Sequence, residues 1–140
     1  MNLRDATFDD MKALMPLARE AHLKSWMRDM PMNEAIVQRN FVVAMQFDDG
    51  YAKVVMKDDE VVGGLVGLIA DNHFGIRHAQ DLFCFSRGGT EMLIGNFLGW
   101  AKERGAEFVH MTDISMNLRY QKLCQTLGLE RAGVNLMRIL

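Results

Sequence analysis

The sequence predicts an α/β domain, an α+β sandwich in which a mixed central β-sheet is flanked by helices on both faces. Three observations lead there. Apolar residues recur at three-and-four spacing in the longer stretches. They run almost unbroken through short β-rich stretches, and glycine-bearing turns separate the two kinds of segment. With 140 residues, 49% apolar and 24% charged, the chain is expected to form one domain over residues 1–140 around one hydrophobic core.

The elements follow in order. Leu3 to Thr7 is a short strand, and Thr7 or Asp9 caps a helix carrying Met11, Leu14, Met15, Leu17, Ala18 and Ala21 on one face. Pro16 falls inside that run, so the helix is expected to begin later or to kink. A second helix spans Asn33 to Phe47, with Ile36, Val37, Phe41, Val42 and Met45 inward. Tyr51 to Met56 and Val61 to Ile69 read as two strands joined through the acidic turn Lys57-Asp58-Asp59-Glu60, a hairpin. Glycines in the second of these mark bulges or close backbone approach. Ala79 to Phe85, led in by His78, is a further strand. A helix over Glu91 to Arg104 places Leu93, Ile94, Phe97, Leu98 and Ala101 in a stripe and stops at Gly105. Glu107 to Met111 is a strand, Asn117 to Leu127 a helix closed by Gly128, and Ala132 to Leu140 a last strand.

Composition narrows the function classes. The formal net charge of −2 gives no global attraction to nucleic acid or to an anionic membrane surface, so neither is an expected partner. No stretch reaches the ~18 apolar residues of a membrane span, and the first residues lack the layout of a signal peptide. Cys84 and Cys124 lie in apolar surroundings without a second pair, which suggests reduced thiols, a cytoplasmic protein and no zinc site. The acidic residues Asp48, Asp49, Asp58, Asp59 and Glu60 do not match a calcium loop, so no metal is expected. Twelve methionines point to adaptable packing.

The segment from Asp81 to Gly105 carries the most chemistry. A strand delivers Ser86-Arg87-Gly88-Gly89-Thr90 to a helix N-terminus, where free N–H groups and the helix dipole favour an anion. Glycines let a phosphate approach the backbone, and Arg87 adds a planar cation. An ordinary turn before a helix is the alternative.

Here the chain resembles the GNAT superfamily of N-acetyltransferases, over roughly Leu3 to Leu140. Asp81-Leu82-Phe83-Cys84-Phe85 followed by Arg87-Gly88-Gly89 resembles that family's acetyl-CoA strand and pyrophosphate loop. Gly99 to Ala106 is similar to the end of the helix after it. Asn117, Leu123 and Leu127-Gly128-Leu129-Glu130 resemble the second motif, and Gly133 to Arg138 the last strand. The compact form looks like small acetyltransferases of tailed phages. Two positions depart from the pattern. The family loop reads (Gln/Arg)-x-x-Gly-x-(Gly/Ala), whereas Thr90 and Met92 stand at the two glycine positions counted from Arg87. The tyrosine that often serves as general acid is replaced by Cys124, with Tyr120 one turn earlier.

The resemblance implies acetyl-CoA as co-substrate, held by Leu82, Phe83, Cys84, Phe85, Arg87, Gly88, Gly89, Thr90 and Asn117, and direct transfer of the acetyl group to a primary amine of a small molecule or protein. A main-chain N–H near Leu82 or Phe83 would stabilise the oxyanion. Asp81 is the leading base, with Tyr120 and Cys124 as candidate acids; otherwise Asp81 is a strand-end carboxylate paired with Arg77 or His78. His22 and Trp26, near Phe41, and His110 are the acceptor-side candidates, each also readable as packing, and His110 as a partly buried, satisfied histidine. Asp113 and Ser115 line the acceptor side or cap a loop. A homodimer is open, as is a degenerate acyl-CoA-binding or protein-interaction module of the same fold.

Overall fold

The computed structural model describes residues 1–115 and 117–140. Its elements are β1 (Asn2–Asp5), a 3-10 turn (Phe8–Asp10), α1 (Met11–Leu23), α2 (Glu34–Gln46), β2 (Gly50–Lys57), β3 (Glu60–Asp71), β4 (Arg77–Ser86), α3 (Thr90–Glu103), β5 (Phe108–His110) and α4 (Leu118–Thr126). The five strands form one sheet in the order β1-β2-β3-β4-β5. The first three pairings are antiparallel, and β5 joins β4 in parallel after the α3 crossover.

Strand alternation divides the core between the two faces of this sheet. Val55, Leu65 and Ile69 point toward α3, where they pack with Leu93, Ile94, Phe97 and Ala101. Val54, Val66 and Phe85 point the other way, toward Leu14, Leu17 and Ala18 of α1 and Phe41 and Ala44 of α2. The glycines of β3 set how close the helices come. A Cβ on Gly64 would lie 2.8 Å from Leu14 Cδ2, and one on Gly67 would lie 2.7 Å from the Phe97 ring. Both helices therefore press directly on the strand backbone.

Local chemistry accounts for the boundaries. Asp58 and Asp59 take left-handed φ of 50° and 63°, and Lys57 pairs with Glu60. The hairpin thus closes on two residues, the mirror-image turn that matches strand twist. Asp10 accepts both Arg4 Nη atoms at 2.8 and 2.7 Å and the Thr7 N–H at 2.7 Å, which ties β1 to the start of α1. Pro16 lies within α1 on its exposed side, so the helix starts at Met11 and continues past it. The carbonyl that its missing N–H would have bonded can then meet water.

Two expectations need correction. Phe41 and Ala44 form the buried line of α2, with Val37 packed beside them, whereas Ile36 is exposed; the helix is rotated slightly from the face its apolar residues suggest. The last segment, Ala132 to Leu140, forms no strand. A strand requires a partner for its backbone, and β5 is only three residues long. Among the described residues, the last backbone hydrogen bond outside regular elements runs from Leu129 N–H to Cys124 C=O, and Leu136 beyond it is 92% exposed.

Candidate active site

The site arises where β4 and β5 part. Their pairing covers only His78–Gln80 against Phe108–His110. From Asp81 onward the β4 edge has lost that neighbour, and a cleft of about 1120 Å³ opens beside it. One wall is β4 from Asp81 to Ser86 with the loop Arg87-Gly88 and Thr90. The second is Thr112 to Ser115 with Asn117, Arg119, Tyr120 and Leu123 of α4. The third is the end of α1 and the connection that carries Met27, Met30 and Met32.

β4 is irregular at the mouth of the split. Val66 of β3 opposes Phe83 and Gly67 opposes Asp81, so Leu82 has no partner residue in the register. A bulge of this kind bends the strand and takes one residue's backbone out of the ladder. Asp81 sits at the apex of the cleft and accepts the Thr112 N–H at 3.1 Å. Burial raises its carboxyl from the ordinary 3.8 to about 6, against the pull of the Thr112 amide. The suggested alternative partners are occupied elsewhere. Arg77 pairs with Asp49 at 3.3 Å, and His78 shares a hydrogen bond of 3.2 Å with Gln80.

At the far end Gly89 takes φ 74° and caps α3 with no side-chain bond. A Cβ there would meet Val55 Cγ2 at 2.6 Å, which is why glycine closes this turn. The first N–H groups of α3 are thereby presented beside the cleft, as an anion requires. Arg87 stands at the same corner, its Nε donating to Glu20 at 2.9 Å, while Lys24 donates to the other Glu20 oxygen at 2.7 Å. This donor set fits a pyrophosphate: backbone amides, a guanidinium and an ammonium with no side chain filling the turn.

The structure brings together Asp81, Leu82, Phe83, Cys84, Phe85, Arg87, Gly88, Thr90, Asn117, Tyr120 and His22 on one cleft, with Gly89 behind its loop as the cap. Asn117 caps α4 by accepting the Arg119 N–H at 2.9 Å. Asp113 is a loop cap, accepting the Ser115 N–H at 2.9 Å and Gln121 Nε2 at 2.8 Å. Tyr120, one turn before the position where the resemblance expects a tyrosine, lines the cleft; its hydroxyl is buried and has no hydrogen-bond partner among the described residues. Burial raises its pKa strongly, so the phenol stays protonated.

Three candidates fall elsewhere. Cys124 is 9% exposed and belongs to the core beneath α3. His110 is exposed rather than partly buried, and with Cys124 it borders a second depression between β5, α4 and the chain end. Trp26 is 39% exposed and does not line the cleft, and Phe41, its expected neighbour, is a core residue packed on Phe83. Tyr120 and Cys124 lie one turn apart on the same face of α4; both pack into the core cluster on the α3 side, and Tyr120 also lines the cleft.

Sequence reasoning missed Glu20, Lys24, Thr112 and the three methionines. Met27, Met30 and Met32 beside Pro31 were a visible signal, three of one flexible type in six residues. Ser25 fixes them: wholly buried, it donates to His22 C=O at 2.8 Å and accepts the Met27 N–H at 3.1 Å.

No family model and no curated protein matches the sequence. Solved structures do match it in shape. A ribosomal-protein-alanine N-acetyltransferase from Brucella melitensis is 14% identical, with a TM-score of 0.71 over 99% of this chain and 100% of that one. An aminoglycoside acetyltransferase from an uncultured soil metagenomic sample is 15% identical, with a TM-score of 0.70 over 99% and 95%. The fold is that of the GNAT acetyltransferases. A transcriptional regulator from Bacillus halodurans is similar as well, 18% identical with a TM-score of 0.74 over 99% of both chains. At such identities the likeness is one of fold, and the GNAT fold alone does not name a reaction.

Proposed function

We propose that this chain is an acetyl-CoA-dependent N-acetyltransferase that moves an acetyl group directly to a primary amine. The observation that carries the reading is the parted β4–β5 edge, with a buried carboxyl at its apex and a helix N-terminus without a side-chain cap at its other end. When bound, acetyl-CoA supplies an activated thioester. The α3 N-terminus, Gly88, Gly89 and Arg87 hold phosphate, and the β4 edge from Leu82 to Phe85 offers backbone groups to an extended arm.

Asp81 accepts the proton that an ammonium must lose before it can attack. With a pKa of about 6 it is ionised at neutral pH yet closer to neutrality than an ordinary aspartate. The bulge at Leu82 is the source of a backbone N–H for the carbonyl oxygen. Tyr120 lines the cleft and is the candidate donor to the departing thiolate, although the burial that keeps it protonated also makes it a weaker acid than a free phenol. Burial raises the pKa of Cys84 and Cys124, which keeps both as thiols and supports direct transfer over an acylated cysteine.

The test is calorimetric titration with acetyl-CoA followed by thiol release in the presence of amines. Arg87→Ala should weaken acetyl-CoA binding, and unchanged affinity would remove the loop from phosphate binding. A second reading, binding without turnover, is favoured by one observation: Cys124 stands where the resemblance expects the general-acid tyrosine, and it lies in the core. Micromolar acetyl-CoA affinity with no thiol release on any amine supports that second reading.

A further inference from the structure

We infer that the acceptor is a monocationic primary amine carried on an uncharged, apolar body. This rests on the transferase reading and names the substrate class of the same cleft. Among the described residues lining the cleft, the carboxylates are Glu20, Asp81 and Asp113. Glu20 is engaged by Lys24 at 2.7 Å and by Arg87 at 2.9 Å. Asp113 is engaged by both the N–H and the hydroxyl of Ser115 and by Gln121. Asp81 accepts one amide and keeps capacity for a cation. One ammonium therefore has a partner here, and a second or third does not. Arg119, which pairs with no carboxylate among the described residues, lines the same cleft and repels additional positive charge.

The rest of the acceptor wall is apolar. Leu17, Ala21, Met27, Met30, Pro31 and Met32 line it, next to His22 and the mutually paired Glu20 and Lys24 at the end of α1. The methionines are half-buried, and Ser25 anchors the backbone that carries them. Unbranched, polarizable thioethers accommodate aromatic and branched apolar groups of differing shape. A polyamine or a sugar bearing several ammonium groups would have to leave water for this wall with its charges unpaired.

The experiment uses the full chain and four probes by calorimetry and by acetyl-transfer kinetics. An n-propylamine to n-pentylamine series reads apolar contact, 2-phenylethylamine and a peptide with N-terminal leucine separate small-molecule from peptide sources, and spermidine is the polycation. Affinity should rise about four-fold per added methylene, the value for a fully buried group. Spermidine should be acetylated with a lower kcat/KM than 2-phenylethylamine. Met27→Gln and Met32→Gln should raise KM for 2-phenylethylamine while kcat and acetyl-CoA affinity hold. A flat amine series, or a preference for spermidine, overturns the inference and leaves the transferase reading standing. Failure of acetyl-CoA to bind overturns the transferase reading, whereas the amine series measured by calorimetry still decides the character of the wall.

Discussion

Asp81→Asn separates what burial does to stability from what it does to reactivity. The native carboxyl titrates near 6 against an ordinary 3.8. At 1.36 kcal/mol per pH decade, and allowing for partial access of water through the cleft, that displacement amounts to about 2–3 kcal/mol. The sign follows from which form the fold prefers. The native state holds the proton more tightly than the unfolded chain, so stability falls as pH rises from about 4 to about 6, and stays lowered above. Asparagine carries no charge, and its oxygen can still accept the Thr112 N–H. The variant should therefore match the wild type near pH 4 and exceed it by about 2–3 kcal/mol at neutral pH, in urea unfolding series across that range. Turnover should move oppositely. Wild-type kcat should climb through about pH 6, and the variant should lose about 10²–10⁴ of it at pH 7 with acetyl-CoA affinity spared. A stability difference that does not change with pH would refute the burial argument. A pH-dependent difference with undiminished turnover would remove Asp81 from proton transfer.

Three other outcomes are expected. Tyr120→Phe should lower kcat while raising stability by about 1 kcal/mol, because among the described residues the buried hydroxyl has no partner to lose; a drop in melting temperature would show that it is bonded. Asp10→Asn should cost about 1–3 kcal/mol at neutral pH through the loss of the charge-assisted pair with Arg4. Hydrogen bonds from Arg4 hold the Asp10 carboxyl below its usual range, so this stabilisation is present above the ordinary carboxylate pKa of about 3.9 and is lost as pH falls further; a difference that persists in strong acid would refute it. Gly89→Ala should destabilise by more than the ~1–2 kcal/mol of the left-handed backbone, since its Cβ also meets Val55. Thermal melts in which the variant matches the wild type would show that this turn relaxes freely.

The elements that depend on neighbours in sequence were readable from it. The stripe Leu93, Ile94, Phe97 and Ala101 is buried as its spacing predicts, and the Asp58-Asp59 turn closes the expected hairpin. Arg87, Gly88 and Thr90 reach the cleft, and Asp81 stands at its apex, because one continuous strand–loop–helix segment carries them all.

Tertiary structure decided what depends on partners far along the chain. Arg87 meets Glu20 of α1, and Asp81 meets Thr112 after β5; neither pairing has a local pattern. Tyr120 rather than Cys124 lines the cleft, a matter of packing that periodicity leaves open. Ala132 to Leu140 has a strand's composition but forms no ladder, because pairing belongs to two segments and not to one. The sequence by itself determined the order of elements as far as α4 and the strand–loop–helix corner beside the cleft, both set by contacts a few residues apart. The cleft exists because β4 and β5 part after three paired residues, and that separation is a property of the assembled sheet.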